Sequence, residues 1–177
     1  ANGLLAAPPQ ADTLPLPHRR VDLTVLRPIL QAIREEKTIE VRYQSMNSKR
    51  GDPTWREITP HAFGSDGLRW HIRAFCHADD RFKDVLISRC IEARRLNDAR
   101  VLSQEDAEWH EFFEVVLQPN PALTKSQKIA VELDYDMSDG KSIVRVRRAL
   151  LFYFLRRMRL DIAESLNEPL ELPIIVG

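Results

Sequence analysis

Gly67-Leu68-Arg69-Trp70-His71-Ile72-Arg73-Ala74-Phe75-Cys76 is the stretch whose reading decides the fold. It follows the turn signal Ser65-Asp66-Gly67 and alternates two kinds of side chain. Successive strand residues face opposite sides of a sheet. Trp70, Ile72 and Ala74 are therefore expected on one face, with Arg69, His71 and Arg73 on the other. Two guanidiniums flanking an imidazole form a surface suited to anions, so this strand is read as the wall of a ligand site. The competing reading is a solvated strand face that is merely basic.

The neighbouring segments give this strand company of its own kind. Upstream, Ile39, Val41, Tyr43 and Ser45 alternate with Glu40, Arg42 and Gln44 over Thr38 to Met46, a half-buried strand. Asn47 to Pro53 is a polar turn. Trp55 to Phe63 is a second strand in which Pro60 marks an edge or a bulge. Downstream, a turn at His77 to Arg81 leads to a strand from about Phe82 to Ile91. Several short strands joined by tight turns predict a small antiparallel barrel, and the absence of βαβ alternation argues against a doubly wound sheet. Before the strands, Leu26, Ile29, Leu30 and Ile33 stand at i, i+3, i+4, i+7 on a helix running to about Lys37. Asp22 or Thr24 is its expected cap, and Pro28 a kink. Ala1 to Pro17 holds four of the eleven prolines and has the composition of a linker, so residues 1–20 are read as a tether. With Ala rather than Met at position 1, the chain reads as a fragment of a longer protein.

The second half has its own elements. Asn97 to Glu108 is polar and reads as a boundary, dividing a domain over 21–100 from one over 101–177. Phe112 to Leu117 is a strand closed by Gln118-Pro119-Asn120-Pro121, and Ser142 to Val146 is another. Thr124 to Asp134 fits either a strand or a capped helix. Ala149 to Leu160 is a helix apolar around most of its circumference, and such a helix buries more than one face, in an interface or in its own core. Leu170 to Val176 is a final strand or a docking tail.

The totals exclude more than they select. Lys plus Arg and Asp plus Glu both number 26, so anion binding must come from local clustering. The two cysteines, Cys76 and Cys90, read as reduced core residues of a cytoplasmic protein. No apolar run is long enough to span a membrane. The five histidines show no ligand spacing, so neither a metal nor another cofactor is expected. Ser45 with His61 or His71 lacks the glycines of a nucleophile elbow, and Asp79-Asp80 sits in a turn. No Gly-rich phosphate loop occurs, and the chain is not read as an enzyme.

Anion or nucleic-acid binding is the stronger chemistry. Tyr43, Ser45, Arg56, His61, His71, Arg73 and Arg89 fall on the predicted strands or their ends. Guanidiniums bind phosphate in a fork, hydroxyls donate to phosphate or ribose, and tyrosine stacks on a base. Tyr43 is equally a core residue beside Ile39 and Val41; Trp70 is read as core. Arg145, Arg147 and Arg148 form either a second basic patch or ion pairs with the acidic segment 105–114.

The order helix, Ile39-Glu40-Val41-Arg42-Tyr43-Gln44-Ser45, Arg56-Glu57-Ile58-Thr59-Pro60-His61, Arg69-Trp70-His71-Ile72-Arg73-Ala74, Ile87-Ser88-Arg89-Cys90-Ile91 resembles the WYL domain of bacterial transcription regulators. Trp70-His71-Ile72 stands where that family has Trp-Tyr-Leu, a form similar to the subgroup controlling phage-defence loci, the BrxR and CapW type. Pro17 to Arg95 carries most of the likeness; Asp134-Tyr135-Asp136-Met137, Asp139-Gly140 and Val146-Arg147-Arg148-Ala149-Leu150 resemble the family's C-terminal extension. The resemblance implies an Sm/SH3-like barrel that senses a nucleotide or nucleic-acid ligand, followed by a small α+β dimerisation domain. It also implies a homodimeric repressor or activator whose DNA contact is made by an N-terminal winged helix-turn-helix, which is not visible in this sequence. Carried over onto this chain, the ligand residues are Tyr43, Ser45, Arg56, His61, Arg69, His71, Arg73 and Arg89. A stand-alone Sm-like binder of RNA or single-stranded nucleic acid is the alternative function, and a nucleotide hydrolase ranks below both.

Overall fold

The computed structural model describes residues 12–17, 19–46, 51–166 and 168–177; most of the tether and residues 47–50 of the expected turn lie outside that set. Helix α1 (Leu23–Arg34) is capped by Asp22, whose carboxylate accepts from the Thr24 N–H at 2.8 Å. Pro28 sits inside it. The buried stripe is Val25, Ile29 and Ala32, turned from the expected one so that Leu30 is exposed.

Strands β1 (Lys37–Tyr43), β2 (Thr54–Ser65), β3 (Trp70–Cys76), β4 (Arg81–Leu86) and β5 (Cys90–Asp98) form one antiparallel sheet in the order β4-β3-β2-β1-β5. Ile39, Val41, Ile58, Ile72, Ala74 and Val85 meet Val25, Ile29 and Ala32 of α1 in the first core. Each Val or Ile of this set removed from water contributes roughly 1.5–3 kcal/mol. The Pro60 expectation resolves as a bulge: the β2–β3 register shifts between Pro60 and Ala62, leaving His61 as the extra residue on the longer strand.

Two expectations are corrected here. Among the described residues the sheet is open, because its edges β4 and β5 join through the 3₁₀ turn Ile87–Arg89 and form no ladder with each other; they form no closed barrel. That same turn splits what reads as a single strand from Phe82 to Ile91, and β5 extends into the segment expected to be a polar boundary. No glycine or proline marks the break.

A short helix α2 (Ala107–His110) leads to a second, three-stranded sheet. It comprises β6 (Phe112–Pro119), β7 (Ser142–Arg147) and, at the C-terminus, β8 (Ile174–Val176), ordered β7-β6-β8. Between β6 and β7, Lys125–Asp134 is helix α3. Its capping box settles the ambiguity: the Thr124 hydroxyl accepts from Gln127 N–H, while Gln127 Oε1 accepts from Thr124 N–H at 2.8 Å. Helix α4 (Arg148–Arg157) packs Leu151, Phe154 and Leu155 on the second core with Val115, Leu117, Val131 and Val146. Leu150 packs on that core too and also reaches the first sheet, where a Cβ on Gly64 would come within 2.9 Å of its Cδ2. The last short helix, α5 (Ala163–Leu166), packs on β8.

Candidate functional site

The residues singled out in the sequence separate into two places on the first sheet. Tyr43, Ser45, Arg56 and Arg89 come together in a cavity of about 190 Å³ whose wall also includes Met46, Cys76, Lys83, Asp84 and Val85. The Arg56 guanidinium lies 5.4 Å from the centre of the Tyr43 ring. Arg89 Nη2 donates to Met46 Sδ at 2.9 Å. Asp79 stands close by, 3.7 Å from Arg56 and paired with Lys83. The hydrogen bond from Lys83, and after it one from Cys76, holds the Asp79 carboxyl below its usual range. Tyr43 joins both of its expected roles, since it also packs against the first core. Lys83 escaped the sequence reading; the signal was its register opposite Ala74, which puts it on the face away from Asp84.

This arrangement suits an anionic ligand of modest size. Three cations, the Asp84 carboxylate, the Ser45 hydroxyl and the Tyr43 side chain line a space smaller than the roughly 300–1,000 Å³ of drug-sized pockets.

The other face of β3 is a seam between the two sheets, and it corrects the expected orientation. Arg73 is 3% exposed. Its Nε and Nη2 donate in a fork to Asp106 at 2.6 and 2.9 Å, Nη2 donates also to Glu108 at 2.8 Å, and Nη1 reaches Asp84 at 3.3 Å. Four of the five N–H donors of this buried guanidinium are spent on protein carboxylates. His61, aimed by the bulge, places Nε2 2.9 Å from Asp106 Oδ2 and its ring edge-on to Phe82 and Trp109. Burial lowers the His61 pKa despite that carboxylate. Asp106, the cap of α2, is also buried, yet its hydrogen bonds from Arg73 and His61 lower its pKa overall. The sequence reading missed Asp106 because it lies in the polar segment taken as a boundary.

His71 is buried as well, and its Nε2 lacks a hydrogen-bond partner, with Asp66 Oδ2 at 3.6 Å. Its ring lies 4.8 Å from that of Tyr153 on α4, whose hydroxyl donates to Asp84 Oδ2 at 2.9 Å. Burial pushes the His71 pKa down. Burial also raises the Tyr153 hydroxyl. Asp66 loses some acidity to burial but more than regains it from the Leu68 and Arg69 N–H groups and the Arg69 side chain, settling at about 2. Arg69 is thus tied to Asp66, beside a separate surface hollow lined by Phe152, Tyr153 and Arg156. Trp70, expected in the core, is 59% exposed.

The second basic patch is largely committed within the chain. Arg148 pairs with Glu111 at 2.7 Å, Arg145 lies 4.0 Å from the Phe112 ring centre, and Arg147 sits over Trp109 and Phe112 while donating to the Trp109 carbonyl. Cys76 and Cys90 are buried free thiols, and burial pushes Cys90 up to about 12. Among the described residues no helix is long and apolar enough to cross a membrane, and no cluster of His, Cys, Asp and Glu is placed to hold a metal.

Comparison with known proteins finds two families along the chain. Residues 24–94 match the WYL domain, and residues 112–177 match the family described as BrxR transcriptional regulator, C-terminal dimerization domain. The chain is 37% identical over 151 residues to the DNA-binding transcriptional repressor CapW of Escherichia coli (strain KTE188), covering 85% of this chain and 50% of that one. It is 36% identical over 169 residues to the CapW repressor of Stenotrophomonas maltophilia, covering 95% and 56%. To the CapW repressor of Pseudomonas aeruginosa it is 38% identical over 151 residues, covering 85% and 50%. The chain therefore spans about half the length of these curated relatives. Among solved structures, proteasome accessory factor B/C of Arthrobacter aurescens aligns over 69% of this chain and 20% of its own at 22% identity, with a TM-score of 0.39. On its two matched domains, the chain belongs to the WYL-domain family and carries the BrxR-type C-terminal dimerization domain behind its WYL domain.

Proposed function

We propose that this chain is the ligand-sensing and dimerising region of a DNA-binding transcriptional repressor, and that a nucleotide or short nucleic acid is the ligand sensed. The observation that carries the reading is the cavity of Tyr43, Ser45, Arg56, Lys83 and Arg89, where cations converge beside an aromatic ring. A phosphate entering it displaces Asp79 from Arg56 and Lys83 and gains two charge-assisted contacts in return. The repressor role follows the CapW relatives, and the homodimer follows the family matched by residues 112–177. Catalysis plays no part in this reading. The seam residues His61, His71 and Arg73 act differently, joining the sensing sheet to the second half so that occupancy of the first sheet is felt by α4.

The test is a fluorescence-anisotropy titration of labelled single-stranded oligonucleotides, with unlabelled mononucleotides and cyclic oligonucleotides as competitors. Saturable binding that weakens with rising salt is expected, and binding should fall in Arg56→Gln and Arg89→Gln. No binding by any of these probes, or binding indifferent to both substitutions, contradicts the reading.

A further inference from the structure

Helix α3 carries a feature that sensing does not use. One side is buried through Val131, yet Ser126, Ile129, Ala130 and Leu133 on the opposite side are all exposed, Leu133 at 78%. These four stand at i, i+3, i+4 and i+7 and form one stripe along the helix. A solvated helix face is ordinarily charged, whereas this one is small or aliphatic throughout. Small Ser126 and Ala130 beside larger Ile129 and Leu133 supply the grooves and ridges of a helix–helix contact.

The charges on α3 point the same way. Lys125 and Lys128 occupy its first half, and Glu132 and Asp134 its last turn. This is the reverse of what the helix dipole favours, so the arrangement costs stability within one chain. Among the described residues none of the four has an ion-pair partner. Lys125 and Glu132 are seven residues apart and so share one flank of the stripe.

We propose that α3 packs antiparallel against α3 of a second copy of this chain across a two-fold axis. Leu133 then meets Ser126 of the partner subunit, Ile129 meets Ala130 of the partner subunit, and Lys125 pairs with Glu132 of the partner subunit, each contact occurring twice. The proposal rests on the dimeric reading above and names its surface. A second copy is the occupant because the charge pattern is complementary to itself, and because α3 lies within residues 112–177, matched to a dimerization domain. A ten-residue helix spans about 15 Å, and a stable interface needs about 800 Å² per partner, so this seam is the centre of a larger contact. Central anchors of that kind dominate binding energy.

Sedimentation equilibrium on the full chain tests the assignment, with circular dichroism to verify folding. The wild type is expected to be a dimer, Leu133→Glu to raise the dimer Kd at least about tenfold, and Ile143→Glu, an exposed aliphatic on β7, to leave it unchanged. Lys125→Glu should weaken the dimer, and Lys125→Glu with Glu132→Lys should restore it, a rescue that misfolding does not mimic. A monomeric wild type sinks the dimeric reading itself. A dimeric wild type that tolerates Leu133→Glu, is equally disrupted by Ile143→Glu, or shows no charge-swap rescue overturns the α3 surface alone.

Discussion

The two faces of the first sheet carry the same chemistry to opposite ends. On one, Arg56, Lys83 and Arg89 surround a cavity with their heads partly in solvent. On the other, Arg73 and His71 are buried and His61 half-buried under α2 and α4, where Asp106, Glu108 and Tyr153 meet them. A cation needs either water, a ligand or a protein anion beside it, since burying it alone is prohibitive. The seam cation, Arg73, has received the anions Asp106 and Glu108 from the second half of the chain. The cavity cations keep a carboxylate that a ligand can replace, Asp79 at 3.7 Å from Arg56.

The sharpest way to break this comparison is to remove a seam cation. Arg73→Ala leaves the buried Asp106 carboxylate with only His61 and the Trp109 N–H beside it, and should cost about 3–5 kcal/mol in urea unfolding. Asp106→Ala should cost a similar amount, and the double variant much less than the sum, because the two share one network. An Arg73→Ala protein of wild-type stability would mean the seam is not what holds the halves together. Gly67→Ala comes next. Gly67 has φ +81°, in the left-handed region, so the substitution should cost about 1–2 kcal/mol through the turn that seats Arg157 against the Asp66 carbonyl.

Acid should loosen the seam more gently. His61 and His71 have folded pKa values below the ordinary 6.5, so the unfolded chain binds protons first and their stabilisation is complete above that value. It is lost as pH falls below 6.5 towards the lowered values. Asp66, depressed from 3.8 to about 2, contributes above pH 3.8 and is lost between those limits. Thermal melts should therefore fall in two steps on acidification, and a Tm that rises between about pH 7 and pH 5 would contradict the burial of both imidazoles. The smallest stability effect belongs to the cavity: Arg56→Gln and Arg89→Gln should each stay within about 0.5 kcal/mol of wild type.

The strand of the opening stretch was legible because period-two alternation is strong there, and Ile72 and Ala74 are in the core as that alternation requires. Alternation assigns residues to faces but carries no record of what covers each face. Arg73 and His71 share a face, as read; the cover comes from Asp106 and Tyr153, 33 and 82 residues along from Arg73 and His71 respectively, which only tertiary packing brings near. Trp70 failed for the related reason that the end of a strand lies beyond the reach of the core. Strand β5 was hidden because the 3₁₀ turn before it uses Ile87-Ser88-Arg89, residues with no turn signature. The cavity residues Tyr43, Ser45, Arg56 and Arg89 were candidates from their places on the predicted strands, and the resemblance to the WYL family named them again; Lys83, which only the β3–β4 register places with them, was not reached at all.

One titration addresses the central claim that the cavity, and not the other basic residues of the sheet, receives the anion. A labelled single-stranded oligonucleotide is titrated with wild type, with Arg56→Gln/Arg89→Gln, and with Arg69→Gln, which alters a guanidinium tied to Asp66 beside a different hollow. Each contact to a charged group is worth about 1.5–3 kcal/mol, so the cavity variant should bind at least about tenfold more weakly at an unchanged Tm, while Arg69→Gln binds like wild type. Full affinity in the cavity variant, with the loss appearing in Arg69→Gln instead, would contradict the account.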